Sequence, residues 1–338
     1  MALRLRKLLQ FLHLTPKQDE QAPAADAPPL LLDRYRHTVT RSPSPKPAPP
    51  AGGKLPGDES GPDAVLVESG SFRVDVSRLL DKLREHQLTD PHYFILCWLR
   101  CAVASGAKLI ELDPVSDGLE LRFDGKPFSA QELDQPYAAL LDPDAPEVRR
   151  GRHFAYGLLG VQRLEPDRIE MVSGMPGSRA AMVLAGRDSV PQETPAAGLE
   201  DRTVIRLRWR KGSPGPDRHR LLTLAADSFG LAEATLVVGG REAPSNPWEA
   251  PSRKATGKWT AFSREGWRGA VCHFIPRPNE LPTATAHVYV LGTRIQDFVR
   301  HQYSAFEAYL SRDDLKLDAS QSRLVEDERL EVGLRTLL

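Results

Sequence analysis

Between Phe72 and Gly125 the hydrophobic pattern changes period, and that change limits the fold more than any other feature of the chain. In FRVDVSRLLDKLREHQLTDPHYFILCWLRCAVASGA, apolar residues at Val74, Leu79, Leu80 and Leu83 recur at helical spacing and predict a first amphipathic helix. Thr89-Asp90-Pro91 then offers a capping side chain and a proline at the first helical position, where a missing N–H costs nothing. A second helix is therefore predicted, with its apolar face running from Phe94 to Val103 and Gly106 as its stop. KLIELDP and GLELRFDG instead alternate apolar and polar residues around Ser116-Asp117-Gly118, which predicts a β-hairpin. Helices feeding a hairpin imply a layered α+β core.

Around this stretch the composition sets the organisation. Residues 1–18 form a leucine-rich amphipathic segment bearing Arg4, Arg6 and Lys7, and Gln10 and His13 interrupt its apolar run, which argues against a secretory signal. Residues 19–62 are rich in Pro, Ala, Ser and Gly and have too little apolar surface to offset the entropy of ordering, so they read as a disordered linker. The 338 residues suffice for about two domains. The 45 basic and 45 acidic side chains balance, so no overall field draws the chain to nucleic acid. Three cysteines cannot complete a disulfide framework, and no apolar run reaches the ~20 residues needed to cross a bilayer. The expected setting is reducing and cytoplasmic.

Further along, Ser129 and Glu132 have the spacing of a capping box. SRAAMVLAG and TVIRLRWR alternate as strands and predict a mostly antiparallel sheet with helices on one face. The turn formers of KGSPGPD suggest a boundary, giving one domain over 66–212 and a second over 216–338. In the second, RHRLLTLAADSFGL reads as a helix, ATLVVGGREAP as a hairpin, and GAVCHFI and TAHVYVLG as strands. Cys97 and Cys101 share a helix face but are too few for a metal, and together with Cys272 they are read as core residues. Trp248, Trp259 and Trp267 read as anchors of an irregular loop, with an exposed binding patch as the alternative. The histidines, His153 and His287 included, show no triad or ligand grouping.

Phe72, Ser77-Arg78-Leu79-Leu80-Asp81, His86 and Phe94 resemble the opening of the nucleotide-binding domain of the ninety-kilodalton heat-shock chaperones. That domain belongs to the superfamily shared with DNA gyrase, mismatch-repair proteins and histidine kinases. The resemblance implies a two-layer α/β sandwich of that ATPase type followed by a smaller α/β middle-type domain. It also implies a site from which the chemistry has been removed. Cys97 stands where the family has its water-activating glutamate, Cys101 where it has its magnesium-coordinating asparagine, and Ala104 where it has an aspartate. In RFDGKPF, Phe123 replaces the adenine-binding aspartate, Gly125 is kept, and Asp124 could serve only after a one-residue slip. HFAYGLLG resembles the family's Gly-x-Gly loop and following helix, with Ala155 and Gly157 in the two positions. Thr203 matches a closing Gly-Thr motif. Near the end, a Phe-rich helix is implied to lead into DDLKLDASQSR, where Gln321 replaces the arginine that reaches the terminal phosphate and Arg323 lies two residues away.

The resemblance therefore assigns no catalytic residue and no metal ligand, and leaves Asp124, Gly125, Gly157, Thr203 and Arg323 as candidate nucleotide contacts. Cofactor use is expected to be none, or weak ATP and Mg²⁺, and the expected role is binding of protein partners or clients. Two alternatives stand beside it. One is a working ATPase with displaced ligands, Asp124 on the base, Arg323 on the phosphate and Glu111 or Asp113 as general base. The other is a signalling or conflict-system module that uses the fold as a scaffold.

Overall fold

The computed structural model describes residues 80, 82–83 and 90–331, except 143–144, 176, 187–201, 211, 213–214, 250–256, 276–280, 302–304 and 319. The segments expected at 1–18 and 19–62, and most of the helix after Phe72, lie outside the described residues. No described helix is long and apolar enough to cross a membrane.

Asp90 caps as its position predicts, accepting from the His92 N–H, and Pro91 opens a 3₁₀ turn that runs into helix α1, Phe94–Ala104. Strands β1, Leu109–Val115, and β2, Gly118–Phe123, form the expected hairpin in regular antiparallel register. Ile110, Leu112, Leu119, Leu121 and Phe123 turn inward, whereas Glu111, Asp113, Glu120 and Arg122 remain on the partly exposed face. The capping box forms as written: Ser129 accepts from Glu132 N–H and Glu132 from Ser129 N–H, opening the short helix α2, Ala130–Asp134. Helix α3, Arg149–Gln162, and strands β3, Arg168–Ser173, β4, Ala180–Ala185, and β5, Thr203–Arg208, follow.

Helix α4, Arg218–Ser228, and the hairpin of β6, Thr235–Val238, and β7, Arg241–Glu242, fall within the expected second domain, yet they join the first sheet. β6 pairs parallel to β1, and Leu221 and Ala225 of α4 enter the same core as α1 and α3. The sheet has seven strands in the order β4-β3-β5-β2-β1-β6-β7, antiparallel except at β1/β6. Its helices cover one face, and that face holds the core.

A second sheet is built from β8, Trp259–Arg264, β9, Trp267–Phe274, β10, Thr283–Val290, β11, Thr293–His301, and β12, Ala305–Ser311. Its order is β11-β10-β12-β9-β8. The fold is thus mixed α/β with two sheets. Two expectations fail here. The Phe-rich segment from Ile295 to Ser311 is not a helix but β11 and β12, because Phe306, Ala308 and Leu310 alternate with Glu307 and Tyr309 and only the first three enter the core below. A register shift opposite Val288/Tyr289 leaves Ile295 as an extra residue, so Ile295 and Phe298 both pack against the core. Trp259 and Trp267 likewise lie on strands, joined by a tight turn at Glu265-Gly266, rather than in an irregular loop.

Candidate functional site

Helix α1 carries the positions where the resemblance would place chemistry, and it lies between the two cores. Every residue from Phe94 to Ala102 is buried, while Val103 and Ala104 pack against the core of the second sheet. A helix that is apolar on all sides suits such a position and leaves no wet face. Cys97 and Cys101 are 1% and 0% exposed. Burial pushes the Cys97 thiol up against the pull of Arg100, and pushes Cys101 up to about 12 despite Arg150 and the Ser105 hydroxyl. Both sulfurs are neutral thiols, unable to act as bases.

Phe123 lies under this helix at 0% exposure, paired with Ile110 on one side and Thr203 on the other. The regular register rules out the slip that would bring Asp124 into its place. Asp124 instead accepts from the backbone N–H groups of Lys108 and Leu109, at 2.6 and 2.9 Å, and fastens the start of β1. Gly125 has φ +105°, and an added Cβ would fall 2.7 Å from the Ser105 carbonyl, so the backbone alone requires glycine there.

Gly157 is inside α3 and not in a loop at a helix start, which corrects the Gly-x-Gly expectation. Its N–H therefore belongs to the helix and cannot cradle a phosphate. A Cβ there would stand 2.1 Å from Trp98 Nε1, and Trp98 Nε1 donates to the Phe154 carbonyl at 3.2 Å. The missing side chain is the seat of the indole. Around it Phe94 meets Trp98 edge-on at 5.0 Å, Trp98 stacks on Phe154 at 6.5 Å, and Phe154 meets Phe128 at 5.3 Å. Thr203 is buried, its hydroxyl 2.7 Å from that of Ser173, which in turn accepts from Phe128 N–H. The side chain of Arg323 is exposed, and its N–H closes the Asp318 turn.

The five candidates are thus not brought together. The groups proposed for displaced chemistry are also engaged. Glu111 pairs with Arg202 and lies 3.7 Å from Arg122; Asp113 pairs with Arg122 at 2.5 Å. What the sequence did not single out is Arg100. It is 2% exposed, donates from Nε to Thr293 Oγ1 at 2.6 Å and from Nη2 to the Gln321 carbonyl at 3.2 Å, and joins α1 to β11 and to the DASQSR loop. Its only signal was a charge in the middle of FILCWLRCAVA. His287 was also passed over: its Nδ1 and Nε2 lie 2.8 Å from Asp297 and 3.2 Å from Glu307, three strands that sequence spacing does not reveal as neighbours. Among the described residues no group of three or more side chains could hold a metal ion.

No protein-family model matches the chain, and no curated protein matches it. Among solved structures it is similar to the B-subunit of the DNA gyrase from Myxococcus xanthus, at 11% identity and a TM-score of 0.49, over 77% of this chain and 93% of that one. A likeness this loose carries no functional argument.

Proposed function

We propose that this chain is a degenerate relative of the heat-shock-chaperone ATPases that acts by binding proteins, with weak or no ATP binding and weak or no hydrolysis. The observation that carries this reading is Phe123, fully buried in one continuous core with Cys97 and Cys101, where the family resemblance would put the base and the magnesium. A phenyl ring cannot accept the adenine amino proton, and neutral buried thiols supply neither a general base nor a counter-charge for phosphates. Asp124, Glu111 and Asp113, the groups a displaced ATPase would need, are held by backbone N–H groups and arginines. Protein binding is the role left to a scaffold of this kind once turnover is removed.

Calorimetric titration of the full chain with ATP and Mg²⁺ tests the reading. No saturable binding up to millimolar ATP is expected. Micromolar binding that disappears in Asp124→Ala would refute it and support the displaced ATPase. Suppression of the aggregation of a heat-denatured protein by stoichiometric amounts of the chain is the matching positive assay.

A further inference from the structure

Two buried nitrogens, one on α1 and one on α3, have no hydrogen-bond partner. Arg100 is 2% exposed; its Nε and Nη2 are bonded, but Nη1 is closed to solvent and unpartnered. His153, 6% exposed, has its Nδ1 in the same condition. Arg149 and His153 are four apart on α3 and so share a face. Arg149 Nη1 donates to the Asp313 carbonyl at 3.1 Å and Arg100 Nη2 to the Gln321 carbonyl, so this face of α3 and Arg100 of α1 meet the same segment. Charge is out of balance there. Burial, followed by the positive charges of Arg100, Arg149 and Arg152, holds His153 well below 6.5, so the ring is neutral. Among the described residues no carboxylate forms an ion pair with Arg100. Asp318 acts on it from farther off, and its oxygens already accept from Ser320 Oγ and from the N–H groups of Ser322 and Arg323. A buried cation without a counter-ion is costly, and a buried N–H without an acceptor adds to the cost.

We infer that one halide-sized anion, chloride, binds between Arg100 Nη1 and His153 Nδ1, with His153 in the tautomer that carries its proton on Nδ1. The anion supplies the missing counter-charge and accepts from both nitrogens at once. A closed polar site of this kind takes something about the size of a water, which favours chloride over phosphate. The three surrounding arginines favour the anion over a water. The site goes beyond the protein-binding reading and does not rest on it, because chloride binding and ATP binding are measured separately.

The full chain is unfolded by heat while sodium chloride replaces sodium gluconate at one fixed ionic strength and pH. Tm is expected to rise by about 3–5 °C for each tenfold increase in chloride above its Kd, as a ligand of the native state requires. His153→Leu keeps the charge of Arg100 and removes one donor, so it should flatten this dependence while the circular dichroism spectrum stays that of the parent. Arg100→Gln should abolish the dependence; if that variant does not fold, the parent and His153→Leu decide. The inference is overturned if Tm is the same in the two salts, as a water between the nitrogens would give, or if folded His153→Leu responds to chloride as the parent does. It is also overturned if phosphate or ATP stabilises the chain where chloride does not; of these results only the one with ATP would refute the proposed function as well.

Discussion

Replacing Gly157 by alanine sets two physical effects against each other, and the structure decides which wins. Position 157 lies in the interior of α3, where alanine is favoured over glycine by about 1 kcal/mol of helix propensity. Against that, the new methyl would stand 2.1 Å from Trp98 Nε1 and 2.2 Å from Cδ1, distances no relaxed contact shows. Trp98 is 1% exposed and held between Phe94 and Phe154, so it cannot swing aside. Overpacking of this kind costs about 1–3 kcal/mol, and displacing the indole also loses its bond to the Phe154 carbonyl, about 1 kcal/mol. The net expectation is a loss of about 1–3 kcal/mol, or a fall in Tm of roughly 3–9 °C for a unit of this size. Urea unfolding followed by Trp fluorescence and by circular dichroism measures it, with m unchanged. In a Trp98→Leu background the penalty should shrink, because the clash is removed; that coupling separates contact from any general helix effect. A midpoint that stays level or rises in Gly157→Ala would mean that this glycine faces open space, as a phosphate loop requires, and the filled-pocket argument would fail with it.

Stability should also depend on pH through His287. Burial by itself would lower its pKa, but Asp297 on β11 and Glu307 on β12 accept from its two ring nitrogens and raise it above the ordinary 6.5, with Arg294 opposing and Tyr309 stacked on the ring at 4.6 Å. Its contribution is therefore complete below pH 6.5 and lost as pH rises through the higher folded-state value. The Tm gap between the parent and His287→Gln should be wider at pH 6 than at pH 9, and a gap independent of pH would contradict the geometry. Phe123→Asp writes back the carboxylate that the family resemblance calls for. At 0% exposure it should lose at least about 4 kcal/mol, from the vanished ring and the buried charge, without gaining ATP binding. A stably folded Phe123→Asp that binds ATP at micromolar concentration would show that the pocket is open after all.

Local signals were legible where one residue type satisfies one backbone need. Asp90-Pro91, the Ser129–Glu132 box and the β1–β2 alternation each produced the element they predicted. Long-range assignments were legible only in part. The second-domain boundary was placed on turn chemistry at Gly215, but turn chemistry says nothing about which sheet the next strand joins, and β6 goes back to β1. The helix expected over the Ile295–Ser311 segment came from the family resemblance and not from the period of its own residues, and β11 and β12 stand there instead. At the site, the burial expected for the thiols of Cys97 and Cys101 was legible, whereas the structural duties of Gly157 and Asp124 were not. Gly157 makes room for Trp98, 59 positions away, and Asp124 accepts from the two N–H groups of Lys108 and Leu109 where β1 begins.

The burial of α1 gives the chemistry of its residues a common physical cause. A catalytic carboxylate needs one solvated or ligand-facing side on its helix, and here the first core takes one side of α1 while Val103 and Ala104 give the other to the second core. On a helix so enclosed, small neutral thiols fit and ionised groups fit only if they are bonded. Arg100 meets that condition at two of its nitrogens. Burial lowers its pKa while Cys97 and Asp318 oppose that effect, and its bonds to Thr293 and the Gln321 carbonyl fasten the helix to β11 and to the turn that holds Gln321. On the proposed reading, a helix packed against both sheets in this way would serve as the rigid centre of a binding scaffold.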